Sequence, residues 1–178
     1  MVNLKSLIEK IQSTPISVKY LRERLPERTD IVEYTQLKNK HRSAVFKGLD
    51  GLIVIIPKKD SKQGHFIVLL PKRNHIEYFS SLGGNPFTEL SKLNEPTQIF
   101  KTLLGNNYIY NRNKLQKQDY TVQDCAAWCI LRLKFHKLKL REFVQLFQVR
   151  VNLQTSDEIC SMLALPLLRS EERRVGQE

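Results

Sequence analysis

Long apolar runs are missing from this sequence. No segment reaches the roughly 18–20 consecutive apolar residues that a membrane span needs, although 41% of the chain is hydrophobic. A spanning helix is therefore not expected, and the composition reads as that of an ordinary globular domain. The N-terminus, Met-Val-Asn-Leu-Lys-Ser-Leu-Ile-Glu-Lys, has amphipathic spacing and an early Glu. It lacks the apolar core of a secretory signal. Cysteine is scarce: Cys125, Cys129 and Cys160 are an odd count of three, and the first two lie one helical turn apart. A disulfide framework is disfavoured, which points to a reducing, intracellular setting. No His accompanies these cysteines at zinc-finger spacing, so neither a metal nor another cofactor is expected. Repeats and low-complexity linkers are also absent, and 178 residues suit one domain with a real core.

What the chain has in excess is positive charge, with a formal net charge of +11. The plain reading is a solvated surface. The functional alternative is attraction to DNA or to acidic partners. Local clusters fall at Lys38–Arg42 and Arg132–Arg141. The second is interleaved with Leu and Phe, as on the wet face of an amphipathic helix.

Helical spacing marks Leu4–Ile11 and Val18–Leu25, with Pro15 and Pro26 as breakers. Strands are expected at Ser43–Lys47, Gly51–Pro57, His65–Leu70, His75–Phe79 and Asn107–Asn111. Polar or turn segments separate them at Lys58–Gly64, Pro71–Asn74 and Ser80–Pro86. His65 stands at the start of its strand in this reading. Helices are expected at Glu95–Leu104, Asp124–His136, Lys139–Val149 and Ser156–Leu163. In the second, Asp124 is the candidate N-cap and Ala127, Ile130, Leu131 and Phe135 form the buried stripe. Helices, then strands, then helices indicate an α+β fold. Residues 1–168 are read as a single domain: an N-terminal part (1–44), a core (45–150) and a C-terminal helix (151–168). Arg169–Glu178 resembles the in-frame translation of a common sequencing adapter and is expected to be non-native.

The segment Gln118-Asp-Tyr-Thr-Val-Gln-Asp-Cys125-Ala-Ala-Trp-Cys129 carries the chemistry. A cysteine in the first turn of a helix meets the positive end of the helix dipole, which favours thiolate. A lone Cys is more often a small buried hydrophobe. Here, however, an imidazole at a strand end can serve as its base, and an upstream Gln amide with the Cys main-chain N–H can hold an oxyanion.

Four pieces occur in order: His65-Phe66, Tyr78-Phe79-Ser80-Ser81-Leu82-Gly83, Gln118, and Asp124-Cys125-Ala126. Together they resemble the adenain-like and Ulp1-like cysteine proteases, most of all the branch of adenoviruses, Maverick/Polinton elements and large DNA viruses. The similarity covers about residues 45–150. It implies a papain-like arrangement, a small mixed sheet flanked by helices with the nucleophile at a helix N-terminus. It also implies that Cys125 attacks the scissile carbonyl, His65 is base and then acid, and Gln118 donates to the oxyanion, with Gln123 ranked second. The third triad position, an acid or amide in the family, is Ser80. Its hydroxyl can orient the ring but supplies no charge. Either Ser80 suffices, another carboxylate substitutes, or the site is a dyad. Strand alternation puts Glu77 on the opposite face from Ser80. Ala126 replaces the usual Gly.

His75 reads as a turn residue, His136 as a helix-end dipole contact, His41 as part of a basic loop and Trp128 as core. The leading expectation is a monomeric thiol endopeptidase that cuts polypeptides after small residues such as Gly-Gly. Its substrates would be viral structural precursors, and its setting the virion and the host nucleus or cytoplasm. A deconjugating protease for ubiquitin-like modifiers is the second. A degenerate binding module, for nucleic acid or protein, is the third.

Overall fold

The computed structural model describes residues 16–58, 61–117, 124–148 and 155–168, the side chains of 61–63 and 165–168 excepted. The expected N-terminal helix at Leu4–Ile11 and the tail from Arg169 lie outside the described residues, as do Gln118 and Gln123.

Five strands form one mixed sheet in the order β1-β2-β3-β4-β5: β1 (Thr29–Glu33), β2 (Gly51–Lys58), β3 (Ser61–Pro71), β4 (Ile76–Phe79) and β5 (Tyr108–Tyr110). The three central strands run antiparallel, and the two edge strands pair parallel to their neighbours. Short helices α1 (Val18–Arg22) and α2 (Arg42–Val45) flank β1. Between β4 and β5 lie α3 (Pro86–Lys92) and α4 (Gln98–Leu104), and α5 (Cys125–Lys134), α6 (Leu140–Gln148) and α7 (Ser156–Leu168) follow β5.

Alternation along the strands sends side chains to two cores, one on each face. Ile53, Phe66, Val68, Leu70 and Phe79 pack with α5, α6 and α7. Leu52, Val54, Ile56, Ile67, Leu69, Ile76 and Tyr78 pack with Leu90, Phe100, Leu103 and Leu104 of α3 and α4. Covered on both faces, β2 and β3 need the unbroken apolar runs that the sequence shows.

Four expectations are corrected. Ser43–Lys47 is not a strand: Arg42–Val45 is a single helical turn. Lys58–Gly64 is not all turn, because β3 begins at Ser61 and places His65 inside the strand rather than at its start. Phe135 is not in the buried stripe; it caps the end of α5 and is exposed. Arg132 is no wet-face residue, being fully buried against Glu77.

Candidate active site

The register between β3 and β4 pairs Val68 with Phe79 and Leu69 with Tyr78. One step further sets Ser80 opposite Ile67, with His65 two residues beyond on the same face. That geometry is realised. His65 Nε2 lies 3.1 Å from Ser80 Oγ, and both side chains are buried, at 7% and 0% exposure.

Ser80 Oγ also donates to Glu89 Oε1 at 2.7 Å and accepts from the Leu82 N–H at 3.3 Å. Glu89 Oε2 accepts from the Tyr78 hydroxyl and lies 3.8 Å from His65 Nε2. Burial raises the Glu89 carboxyl above its ordinary range, while the Tyr78 and Ser80 hydroxyls pull it back. Gly84 makes room for this carboxylate: a Cβ there would stand 3.3 Å from Glu89 Oε1.

Glu89 is the residue that the sequence reading missed. The available signal was Asn85-Pro86. Asn85 caps α3, its side chain accepting from the Phe87 N–H at 2.9 Å, and Pro86 fills the first turn. Reading that start would have carried Glu89 one turn into a helix beside Ser80. Glu77 does face away, as alternation predicts, and forms a bidentate pair with Arg132 at 2.6 and 2.9 Å.

The Ser80 loop is held from a second side. Asn111 accepts from the Ser80 N–H at 3.1 Å and donates to its carbonyl at 2.7 Å. The Leu115 and Gln116 N–H groups both donate to the Ser81 carbonyl at 2.9 Å, and the Ser81 hydroxyl donates to Gln116 Oε1 at 2.6 Å. A cleft of about 510 Å³ opens between Tyr110–Asn113 and the α6 residues Leu140, Arg141 and Val144.

Cys125 is the first residue of α5 and is half-buried. Its thiol lies against the main chain of Phe66, the residue after His65. α5 is buried almost all round, as a helix between a sheet and two further helices must be. Asp124 is the N-cap residue, as expected, although its side chain makes no capping bond. Its two carboxyl oxygens are buried without a hydrogen-bond partner. Beside it, Asp157 of α7 accepts from the Trp128 indole at 3.2 Å and the Lys117 N–H at 2.7 Å. Burial, and then the Asp157 charge, push Asp124 up to about 8.

Electrostatics also revise the state of the thiol. Burial pushes Cys125 up to about 11; the Phe66 main chain opposes this and the Asp124 charge adds to it. Burial, with Lys58 assisting, pushes His65 down to about 4. The helix-dipole preference for thiolate is outweighed, and thiol and imidazole both rest neutral. His136 spends Nδ1 on the Leu133 carbonyl at 2.9 Å, and Trp128 is fully buried. Neither joins the cluster.

Fold and site thus define a mixed α/β protein that brings together a helix-start cysteine, a buried histidine, a serine and a buried carboxylate. No family model matches the chain. It is 27% identical over 157 residues to the uncharacterised protein V9 of the Sputnik virophage, with 80% of this chain and 90% of that one covered. Among solved structures it is similar to the C-terminal Ulp1 protease domain bound to Smt3, the yeast ortholog of SUMO. That likeness has 17% identity and a TM-score of 0.40, over 92% of this chain and 75% of that one. It is also similar to the central domain of the Lpg1148 protein of Legionella pneumophila. There the identity is 14% and the TM-score 0.48, over 92% of this chain and 99% of that one.

Proposed function

We propose that the protein is a cysteine peptidase with Cys125 as nucleophile and His65 as general base. The observation that carries this reading is one juxtaposition. The Cys125 thiol rests on the Phe66 main chain, while the adjoining His65 ring engages Ser80 through Nε2 and keeps Nδ1 for a thiol. With both groups neutral at rest, His65 takes the Cys125 proton as sulfur attacks the carbonyl carbon. It returns that proton to the leaving amine. The Cys125 main-chain N–H at the start of α5 is one oxyanion donor, and Gln118 the second by its sequence position.

Polypeptides cut after small residues such as Gly-Gly are the substrate class that the motif resemblance favours. The virophage relative supports a viral setting; structural precursors as targets come from the motif resemblance alone. Deconjugation of a ubiquitin-like modifier is the same chemistry on another substrate.

The test is labelling by a vinyl-sulfone peptide ending in Gly-Gly. Wild type should label, and Cys125→Ala and His65→Ala should not. A folded wild-type protein that stays unlabelled at all pH values up to 10 would remove the peptidase reading.

A second reading concerns charge and applies to the far end of the sheet. Lys72 Nζ donates to the His136 carbonyl at 2.6 Å, and Arg42 Nη2 donates to the Lys72 carbonyl at 3.5 Å. These contacts gather α2, the β3–β4 turn and the end of α5, where Arg73, Lys134, Lys137 and Lys139 are exposed. This basic end suits the phosphate backbone of DNA.

A further inference from the structure

We propose that Glu89 is the charged member of the catalytic system and acts on His65 through Ser80, so that the site is a four-residue relay. The inference rests on the peptidase reading for its kinetic consequence, but its structural core is independent of it.

Proton counting carries the argument. A serine hydroxyl has one hydrogen and two lone pairs. The Ser80 hydrogen points to Glu89 Oε1 at 2.7 Å. One lone pair receives the Leu82 N–H at 3.3 Å. The remaining lone pair faces His65 Nε2 at 3.1 Å, so that nitrogen must be the donor. The neutral ring is therefore the Nε2–H tautomer, and Nδ1 carries the lone pair that accepts a proton.

Glu89 fixes the direction of this chain. Its two oxygens receive two hydroxyls, Ser80 on Oε1 and Tyr78 on Oε2. A carboxylate is acceptor only, so both hydroxyls are committed. If Glu89 were replaced by a group that donates toward Ser80, the serine hydrogen would be free to turn to His65. The ring would then adopt the other tautomer, with its lone pair facing away from the thiol.

The carboxylate also supplies the charge that Ser80 lacks. When Cys125 gives its proton to Nδ1, the ring becomes an imidazolium with N–H on both nitrogens. Its positive charge then stands 3.8 Å from Glu89 Oε2. The Ser80 hydrogen stays on Ser80 and the Glu89 carboxylate stays ionised. No proton crosses the relay, and the imidazolium later gives its Nδ1 proton to the leaving amine. Glu89 is a positioning residue, since it touches neither thiol nor substrate.

The experiment uses full-length protein and has two readouts. First, nitrogen-15 NMR of the His65 ring is recorded in Cys125→Ala, Cys125→Ala/Glu89→Gln and Cys125→Ala/Ser80→Ala. The Nε2–H tautomer should dominate in the first and lose its dominance in the other two. Second, kcat and KM are compared for wild type, Glu89→Gln, Ser80→Ala and the double variant Ser80→Asp/Glu89→Gln. Loss of an orienting charge that acts in the transition state should lower kcat ~10–100-fold with KM little changed. Ser80→Asp/Glu89→Gln, which puts a carboxylate directly on Nε2, should recover most of that loss.

Retention of the Nε2–H tautomer in both relay variants, or unchanged kcat in folded Glu89→Gln, overturns the relay. Absence of thiol labelling in wild type removes the peptidase reading and leaves the tautomer measurement to decide the relay by itself.

Discussion

At the scale of single residues the site is governed by burial. A thiol held near 11 and an imidazole held near 4 form a neutral pair, in contrast to a preformed thiolate–imidazolium pair. Two pH predictions follow from the signs. The rate of Cys125 alkylation by iodoacetamide should climb about tenfold per pH unit between pH 6 and 10, because the thiolate fraction does. A plateau near neutrality would mean that an ion pair exists at rest. A general-base role for His65 requires the neutral ring, so under the proposed mechanism the acid limb of kcat/KM on peptide should fall near pH 4 rather than near 6.5. A third prediction concerns Asp124, whose carboxyl is raised to about 8 from a value near 3.9 in the unfolded chain. Between those values the native state holds a proton that the unfolded state has lost. Stability therefore falls as pH rises through that window and levels off above about 8. Asp124→Asn removes the charge and keeps an N–H donor for the neighbouring Asp157 carboxylate. It should flatten the profile and stabilise the protein by about 1–3 kcal/mol at pH 8.5 in urea melts. The placement of Cys125, and of His65 beside Ser80, was legible because each stands beside a strong local signal: a helix start, an apolar strand and a strand end. Glu89 was not, because its role depends on a short helix whose Asn-Pro start resembles a turn. Gln118 remains an expectation, since it lies outside the described residues.

At the scale of elements, two ties align the pieces of the site. One is the Ser80–Gly84 loop against Asn111–Gln116. Gly83 has φ +61°, and a Cβ there would lie 2.4 Å from the Asn113 main chain, which cannot yield as a side-chain tip can. Gly83→Ala should therefore lower stability by about 2 kcal/mol or more. It should also cut peptidase activity by displacing Ser80, as thermal melts and kcat together would register. The other tie joins the Cys125 helix to the sheet. Arg132 grips Glu77 with two charged bonds and donates to the carbonyls of Phe135 and Leu138 at 2.6 and 2.9 Å. Arg132→Met leaves Glu77 buried and unpaired, a loss of about 3–5 kcal/mol. Adding Glu77→Leu should recover part of that, with the two orphaned carbonyls accounting for the remainder. A folded single variant of wild-type stability would show that the pair does not hold α5 in place. The sequence pattern located β2, most of β3, β4 and the three C-terminal helices, since each has a strong apolar period or run. It failed at β1, where Ile31 alone is fully buried and strand character comes from long-range pairing with β2. It failed again at Arg42–Val45, one helical turn too short to display a helical period. Arg132 was misread because charge suggests exposure unless the partner, distant in sequence, is known.

At the scale of the whole molecule, one basic cluster stands apart from the candidate site, although Lys58 acts on His65. From His65 in β3 to Lys72, just past the strand's end, is roughly 23 Å at strand rise. α5 runs from Cys125 to Lys134, about 14 Å at helical rise. The basic end therefore lies beyond the reach of the thiol, and a polyanion held there leaves the site open to peptide. Net charge of +11 alone would give diffuse, weak attraction, with no face preferred. Clustering gives a sharper expectation. Binding to double-stranded DNA should weaken with salt, the log–log slope counting the phosphates neutralised at about 0.9 each. Lys134, Lys137 and Lys139 are solvent-exposed. The triple change of these lysines to Gln should therefore reduce the slope by about 2–3 and leave Gly-Gly probe labelling intact. The control triple Lys19, Lys38 and Lys101 to Gln removes the same charge from α1, the loop before α2 and α4. If both triples reduce the slope equally, the attraction is a property of net charge and the basic end is not an interface. A loss confined to the first triple makes it one.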